Sequence, residues 1–142
     1  MNTISRKLFD LCHDYGIRDL YVFGSRANEI SATVRNLPEP PPAGDSDVDI
    51  GVLPDTPTPW SPEKKVDLTI GLEDLFRAGR VDLVLLTEAD PFLSADIIAG
   101  ELLFTKDADE QARYELFVLR RAGDLLPFKK ARTRMILEEG AR

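Results

Sequence analysis

Residues 46–52 read Ser-Asp-Val-Asp-Ile-Gly-Val, and this stretch decides what kind of fold the chain can adopt. Apolar residues alternate with Asp47 and Asp49, which is the pattern of a β-strand with one acidic face and one apolar face. Carboxylates two positions apart on one face repel each other unless a positive group lies between them. Magnesium prefers carboxylate oxygens and commonly bridges a protein to phosphate groups, so the stretch indicates a magnesium site.

A second informative stretch lies upstream and ends in Gly24 and Ser25. Residues 19–23, in which four apolar or aromatic side chains follow Asp19, predict a strand that Gly24 terminates. Residues 25–30 then predict a short helix whose first backbone amides face the end of that strand, where an anion is best received. Gly-Ser after a strand is a weak signal alone, because many such turns only reverse the chain.

Composition limits the class of protein. The chain has 142 residues, 43% hydrophobic and 30% charged, which is ordinary for one globular domain with a hydrophobic core. Residues 1–105 carry 9 basic and 18 acidic side chains, whereas residues 106–142 carry 9 basic and 7 acidic. An acidic main body argues against a nonspecific grip on nucleic acid, so no direct nucleic-acid partner is expected. It suits binding of cations or of a basic partner.

Cysteine and histidine usage is sparse. Cys12 is the only cysteine, which excludes an intrachain disulfide, and His13 is the only histidine. We expect Cys12 in the core and His13 in a structural or solvent-facing role. The sequence shows neither a leader peptide nor an apolar run of membrane-spanning length, so we expect a cytoplasmic protein with no membrane partner.

The remaining pattern is that of alternating helices and strands. The further predicted elements are helices over 3–15, 63–78 and 91–99, strands over 80–86 and 102–105, a helix opened by Asp107, and a last basic helix after Pro127. Eight of the ten prolines lie within residues 38–62, on both sides of the acidic strand. These prolines predict loops, which act either as a lid or partner surface or as a solvated spacer around Trp60.

One acid interrupts the apolar strand over 80–86. An unpaired buried carboxylate is costly, so Asp82 either ends the strand at the surface, pairs with a base such as Arg80, or faces the metal site. Together these elements predict an α/β fold with a small mixed β-sheet flanked by helices. We expect a core over residues 1–105 with a proline-rich insertion at about 31–45, followed by a C-terminal helical extension over 106–142.

The combination of motifs resembles the nucleotidyltransferase fold of the DNA polymerase beta superfamily. That pattern is Gly-Ser, a spacer, Asp-x-Asp on the next strand and a third carboxylate on a later strand, matched here by Gly24, Ser25, Asp47, Asp49 and Asp82. Within the superfamily, the small size and the phrases Leu20–Ala27 and Val81–Val84 resemble the minimal nucleotidyltransferases. Proteins of that group commonly act as antitoxins of HEPN-domain RNase toxins.

The resemblance implies roles for these residues. It implies that Asp47 and Asp49 hold two magnesium ions that clamp the phosphates of ATP, and that Asp82 completes the second metal shell and helps to deprotonate the attacking hydroxyl. It also implies that the backbone of Gly24 approaches the phosphates closely and that Ser25 and Arg26 contribute to nucleotide binding.

The resemblance further implies transfer of AMP from ATP to a tyrosine hydroxyl of a partner HEPN RNase toxin, with which the chain would form a hetero-oligomer. Two alternatives stay open: an antitoxin that acts by binding alone, and a nucleotidyltransferase for a small hydroxylated molecule. The chain departs from the family where Asn28 and Glu29 replace the usual Arg-Gly, which places an acid near the expected triphosphate. The 21-residue spacer Arg26–Ser46 is also longer than usual.

Overall fold

A four-stranded mixed sheet forms the centre of the molecule. The computed structural model describes residues 2–38 and 47–140. In chain order the elements are α1 (Thr3–Tyr15), β1 (Ile17–Phe23), α2 (Ala27–Arg35), β2 (Val48–Pro54), α3 (Pro62–Phe76), β3 (Val81–Leu85), α4 (Pro91–Ile98), β4 (Glu101–Thr105) and α5 (Ala108–Gly140). The strands are ordered β3-β2-β1-β4. Only β2 and β3 are parallel, so the predicted α/β fold with a small mixed sheet is confirmed.

Local capping explains where the first helix begins and ends. The Asn2 side chain accepts a hydrogen bond from the backbone amide of Ser5, and Gly16 ends the helix in the left-handed conformation with φ of 65°. Leu8 and Cys12 lie on one stripe of α1 and are fully buried against the sheet. The predicted helix over residues 3–15 and the core position of Cys12 are therefore confirmed.

The sheet is covered on both faces, and the period of two along each strand decides which side chains go where. One face packs against α1, α2 and α3 and includes the β2 residues Val48, Ile50 and Val52. The other face packs against α4 and the beginning of α5 through Tyr21 and Ile97. Asp49 alternates with the apolar residues of β2 and therefore lies on this second face of the sheet. As the second residue of β2, it lies at the beginning of the strand.

Two boundaries near the Gly-Ser turn differ from the sequence prediction. Strand β1 begins at Ile17, two residues earlier than predicted. Helix α2 continues to Arg35 and so occupies residues 31–35, which we had assigned to the irregular insertion. Ile30 and Val34 are four residues apart and both buried, so this extra turn is stabilised by packing that the proline pattern did not reveal. Residues 39–46 of the predicted insertion lie outside the described residues.

Helix α5 is one continuous helix, and the predicted break at Pro127 is wrong. A proline removes one backbone hydrogen bond, here the one that would reach Gly123, but the strong helix formers on both sides carry the helix past it. Between residues 108 and 138, Val118 is the last residue of α5 that is buried, and Leu126 and Phe128 beyond it are 40% and 72% exposed. Within the described part of the chain, no helix combines the length and the apolar character that a membrane span requires.

Candidate active site

Three carboxylates converge at the beginning of the parallel strand pair. In the register of β2 and β3, Asp49 lies directly opposite Asp82. Asp47 immediately precedes β2 and is two residues from Asp49, so both carboxylates leave the chain on the same side. The three acids singled out from the sequence therefore come from neighbouring strands and lie at the same end of the sheet.

The Gly24 turn packs directly on this carboxylate group. Phe23, the last residue of β1, pairs with Asp49 across the antiparallel ladder. Gly24 follows with φ of 78°, a conformation that residues with a side chain rarely adopt. A Cβ atom at position 24 would lie 2.5 Å from Oδ2 of Asp49. Only glycine therefore allows the turn and the carboxylate to approach each other this closely.

The electrostatics of the site are those of crowded acids, two of which contact Arg80. Burial raises the pKa of the Asp49 carboxyl, and the negative charges of Asp82 and Asp47 raise it further. The Nε atom of Arg80 lies 3.3 Å from Oδ1 of Asp82 and 3.7 Å from Oδ2 of Asp47. Of the alternatives left open for Asp82, the structure therefore combines two: it pairs with Arg80 and belongs to the carboxylate group.

The residues present fit a divalent cation by their chemistry. Among residues 2–38 and 47–140, no group of three or more His, Cys, Asp or Glu side chains is already arranged to hold a metal ion. The donor set is nevertheless of the kind that magnesium takes, with hard carboxylate oxygens that repel one another until a cation comes between them. The Arg80 guanidinium lies between two of these carboxylates and supplies part of that positive charge.

The cation of the Gly-Ser-Arg motif is also paired. Arg26 donates through Nε to Oε2 of Glu29 at 2.9 Å and through Nη2 to Oε1 at 3.0 Å. These hydrogen bonds hold the pKa of the Glu29 carboxyl below its usual range. The sequence indicated Glu29 as an acid near the expected triphosphate; its direct contact with Arg26 was missed. The i, i+3 spacing on α2 is the signal from which the contact is predictable.

A fourth carboxylate, Asp19, lies on the same face of the sheet and has a structural role. Asp19 on β1 is completely buried, and its side chain accepts hydrogen bonds from Oγ1 of Thr105 at 2.7 Å and from Nε of Arg18 at 3.2 Å. Burial raises the pKa of its carboxyl. The sequence did not reveal this acid, because Asp at the start of a strand is ordinarily solvent-exposed.

The lone histidine and cysteine take no part in the carboxylate group. The rings of His13 and Phe9 are tilted by 54° with centroids 4.3 Å apart, and His13 also packs edge-on against Phe104. Burial raises the pKa of the Cys12 thiol to about 12, so it stays protonated and unreactive. Cys12 therefore lies in the core, and the exposed His13 contacts only aromatic neighbours among the ring contacts described, in line with the structural or solvent-facing role that we expect.

Comparison with known proteins identifies the family and the fold. The family described as Polymerase beta, Nucleotidyltransferase matches residues 6–109 of the chain. No curated protein is significantly similar in sequence. Among solved structures, a double mutant of the toxin–antitoxin pair MntA–HpeT aligns over 100% of both chains with a TM-score of 0.67 and 17% identity.

Two further solved structures share the fold. A toxin–antitoxin complex with AMP-PNP aligns over 97% of this chain and 98% of its own, with a TM-score of 0.63 and 17% identity. The complex of a tri-AMPylated HEPN toxin from Shewanella oneidensis with its MNT antitoxin contains a chain with a TM-score of 0.62 and 20% identity, over 98% of this chain and 97% of that one. The similarity extends through α5, beyond the part that the family covers.

Proposed function

Because the chain belongs to the Polymerase beta nucleotidyltransferase family, we propose that it transfers AMP from ATP to a tyrosine hydroxyl of a partner HEPN RNase toxin and so acts as an antitoxin. One observation carries the proposal: Gly24 packs on Asp49, which lies in register with Asp82. This contact joins the turn suited to receive phosphates to the acids suited to hold a metal. The cytosol, which contains both ATP and RNA, is the proposed compartment.

The chemistry assigned to the site is an in-line displacement. The tyrosine oxygen attacks the α-phosphorus of ATP, the bond from that phosphorus to the bridging oxygen breaks, and pyrophosphate leaves. Gly24 lets the backbone approach the phosphates, while Ser25 and Arg26 bind their oxygens. Asp82 helps to remove the tyrosine proton. Magnesium, held by Asp47, Asp49 and Asp82, would neutralise phosphate charge and lower the pKa of the attacking hydroxyl.

The structural neighbours support this choice of substrate and partner. One of them was solved with the ATP analogue AMP-PNP, and another contains a toxin that carries AMP groups. AMP on a tyrosine adds negative charge and bulk, both of which oppose RNA binding. The acidic body of the chain, with 18 acidic and 9 basic residues over 1–105, favours oriented association with a basic RNase surface.

A second function, inhibition by binding alone, is favoured by one specific observation. Glu29 forms an ion pair with Arg26, and this pairing reduces the positive charge available to a triphosphate. The third function, modification of a small molecule, has no specific observation in the described residues that favours it, so we rank it last.

The test is transfer of label from ATP labelled at the α-phosphate, in the presence of magnesium and the product of the adjacent gene. Wild type is compared with the double variant Asp47→Ala/Asp49→Ala and with a control, Asp10→Ala/Asp14→Ala, which removes two exposed acids from α1. We expect label on the partner protein with wild type and with the control, and none with the double variant in the carboxylate group.

Other outcomes decide between the functions. An intact complex without label would indicate inhibition by binding alone. Label on a small molecule would indicate the third function. Label transferred equally by the Asp47→Ala/Asp49→Ala variant would contradict the assignment of these carboxylates.

A further inference from the structure

Arg26 and Glu29 form an ion pair with two hydrogen bonds close to the Gly24 turn. Two donors of the guanidinium, Nε and Nη2, each reach a different oxygen of the same carboxylate, at 2.9 and 3.0 Å. The side chains are only 13% and 19% exposed. This fork-to-fork geometry is the strongest that the two groups can form, and partial burial protects it from screening by salt.

The pair follows directly on the turn that we propose to receive the phosphates, and the cleft that it lines is formed by residues other than the three carboxylates. Arg26 precedes the first turn of α2, directly after the Gly24 turn that packs on Asp49, and Glu29 follows one helical turn later. Both residues line a cleft of about 640 Å³ between α1, α2 and the end of α3. Lys7 and Arg77 line the same cleft, and Asp74 is its other acid.

We propose that Glu29 is a positioning residue that competes with the triphosphate for Arg26 and thereby sets the nucleotide affinity of this chain. The inference rests on the proposed function, because it assumes that ATP is the ligand. A carboxylate and a phosphate offer the same pair of oxygens to a guanidinium, so Arg26 cannot satisfy both through Nε and Nη2. Binding of the phosphates either breaks the pair or leaves Arg26 unused.

The first experiment measures the dissociation constant of AMP-PNP in the presence of magnesium by calorimetry. We expect Glu29→Gln, which keeps the shape and removes the charge, to bind about tenfold more tightly than wild type, since a charge-assisted pair no longer has to be broken. Asp74→Asn removes the other acid of the same cleft and should change the affinity by less than about twofold. Glu29→Ala serves as a second variant, and thermal melting confirms that each protein is folded.

A double-mutant cycle tests whether Glu29 acts through Arg26. We expect Arg26→Gln to weaken AMP-PNP binding, and Glu29→Gln to have almost no further effect in the Arg26→Gln background. An equal gain in both backgrounds would overturn the inference, because Glu29 would then act only as a nearby negative charge. Unchanged or weaker binding by both Glu29 variants would also overturn it.

The same proteins separate this inference from the proposed function. Label transfer by wild type together with an unchanged affinity in Glu29→Gln would overturn the inference and leave the proposed function standing. Tighter AMP-PNP binding by Glu29→Gln without transfer to any protein would support the inference and contradict the proposed transfer. Absence of AMP-PNP binding by every variant would overturn both.

Discussion

Asp19 and Asp49 lie on neighbouring strands and on the same face of the sheet, yet their surroundings differ in kind. Asp19 is fully buried and accepts hydrogen bonds from Thr105 and Arg18. Asp49 is half-buried and faces Asp82 and Asp47, whose charges oppose its ionisation. Burial is the largest cause of the raised pKa of both carboxyls, but Thr105 and Arg18 oppose the rise at Asp19, where the charge of Asp55 is the smallest cause. At Asp49 the other causes, the charges of Asp82 and Asp47, both raise the pKa further.

This difference in surroundings distinguishes a carboxylate with a structural role, Asp19, from one whose surroundings suit a bound cation, Asp49. The hydrogen bonds of Asp19 are complete within the chain and join β1 to β4, so the fold itself explains its presence. Nothing in the fold explains why Asp49 and Asp82 are placed opposite each other, because adjacent carboxylates oppose folding. A raised pKa therefore does not by itself indicate a functional site. The physical cause of the rise is the more informative observation.

The largest effect that we expect is the loss of transfer in Asp49→Asn. AMP transfer should fall by about a thousandfold or more, which corresponds to about 4 kcal/mol of transition-state stabilisation. The melting temperature should stay the same or rise, since one of three repelling charges is removed. Label transfer and thermal melting of the same preparations check both expectations.

Asp19→Asn is the matched variant for this prediction. It changes the same chemical group on the same face and should retain transfer in the folded protein. A folded Asp19→Asn protein without transfer, or an active Asp49→Asn protein, would abolish the distinction between the two acids.

Gly24→Ala should lower the free energy of unfolding by about 2 kcal/mol, because the positive φ of 78° is strained for alanine and the new methyl group also forces the Asp49 carboxylate to shift. The control is Gly79→Ala, where an added Cβ would meet nothing within 4 Å. That variant should differ from wild type by less than about 0.5 kcal/mol. Urea denaturation of both proteins gives the comparison, and equal values would show that the turn does not depend on its contact with Asp49.

The sequence predicted most of the fold and the carboxylate group, because both follow from regular patterns. Alternation placed Asp47 and Asp49 on one face, and the helical stripe with its Gly16 cap defined α1. Charge contacts between side chains have no such period. The pairing of Arg26 with Glu29 and the position of Arg80 between Asp47 and Asp82 depend on rotamers and on neighbouring strands, so they required the structure.

The length of helices was the other weak point of the sequence prediction. The proline-rich composition suggested that the chain becomes irregular at residue 31, but the burial of Val34 extends α2 by tertiary packing. Pro127 suggested a break in α5, whereas a proline with good helix formers on both sides can lie within one continuous helix. Local signals predict the ends of helices only where packing does not override them.

The dependence of stability on pH should distinguish Asp19→Asn from wild type. The raised pKa of Asp19 means that the folded protein binds this proton more tightly than the unfolded chain does. The stabilisation is complete below the unfolded value, about 3.9, and is lost as the pH rises through the folded value. The stability of wild type relative to Asp19→Asn should therefore fall as the pH rises from about 4 through the folded pKa of Asp19, by about 1.4 kcal/mol for each unit of pKa shift.

Urea titrations of both proteins across that range check the sign. Because Asp49 is present in both, its own titration cancels from the difference. A difference that rises with pH would mean that the bonds from Thr105 and Arg18 outweigh the effect of burial. Asp19 would then favour its charged form, and the two acids would differ even more than we infer.

The smallest effect that we expect concerns Arg80, which lies between the carboxylates and competes with a metal for them. Its side chain is 70% exposed, and Asp47 and Asp82 are 40% and 43% exposed, so water screens the contact and it contributes less than about 1 kcal/mol. Arg80→Gln should therefore tighten Mn²⁺ binding by only about threefold.

Arg113→Gln is the matched control, since Arg113 is 71% exposed and pairs with Glu110 on α5. Calorimetry with Mn²⁺ alone measures the effect without any catalytic step. Weaker binding in Arg80→Gln than in Arg113→Gln would mean that Arg80 holds the carboxylates in place for the metal, and Asp49 and its neighbours would then resemble Asp19 in depending on a partner within the chain.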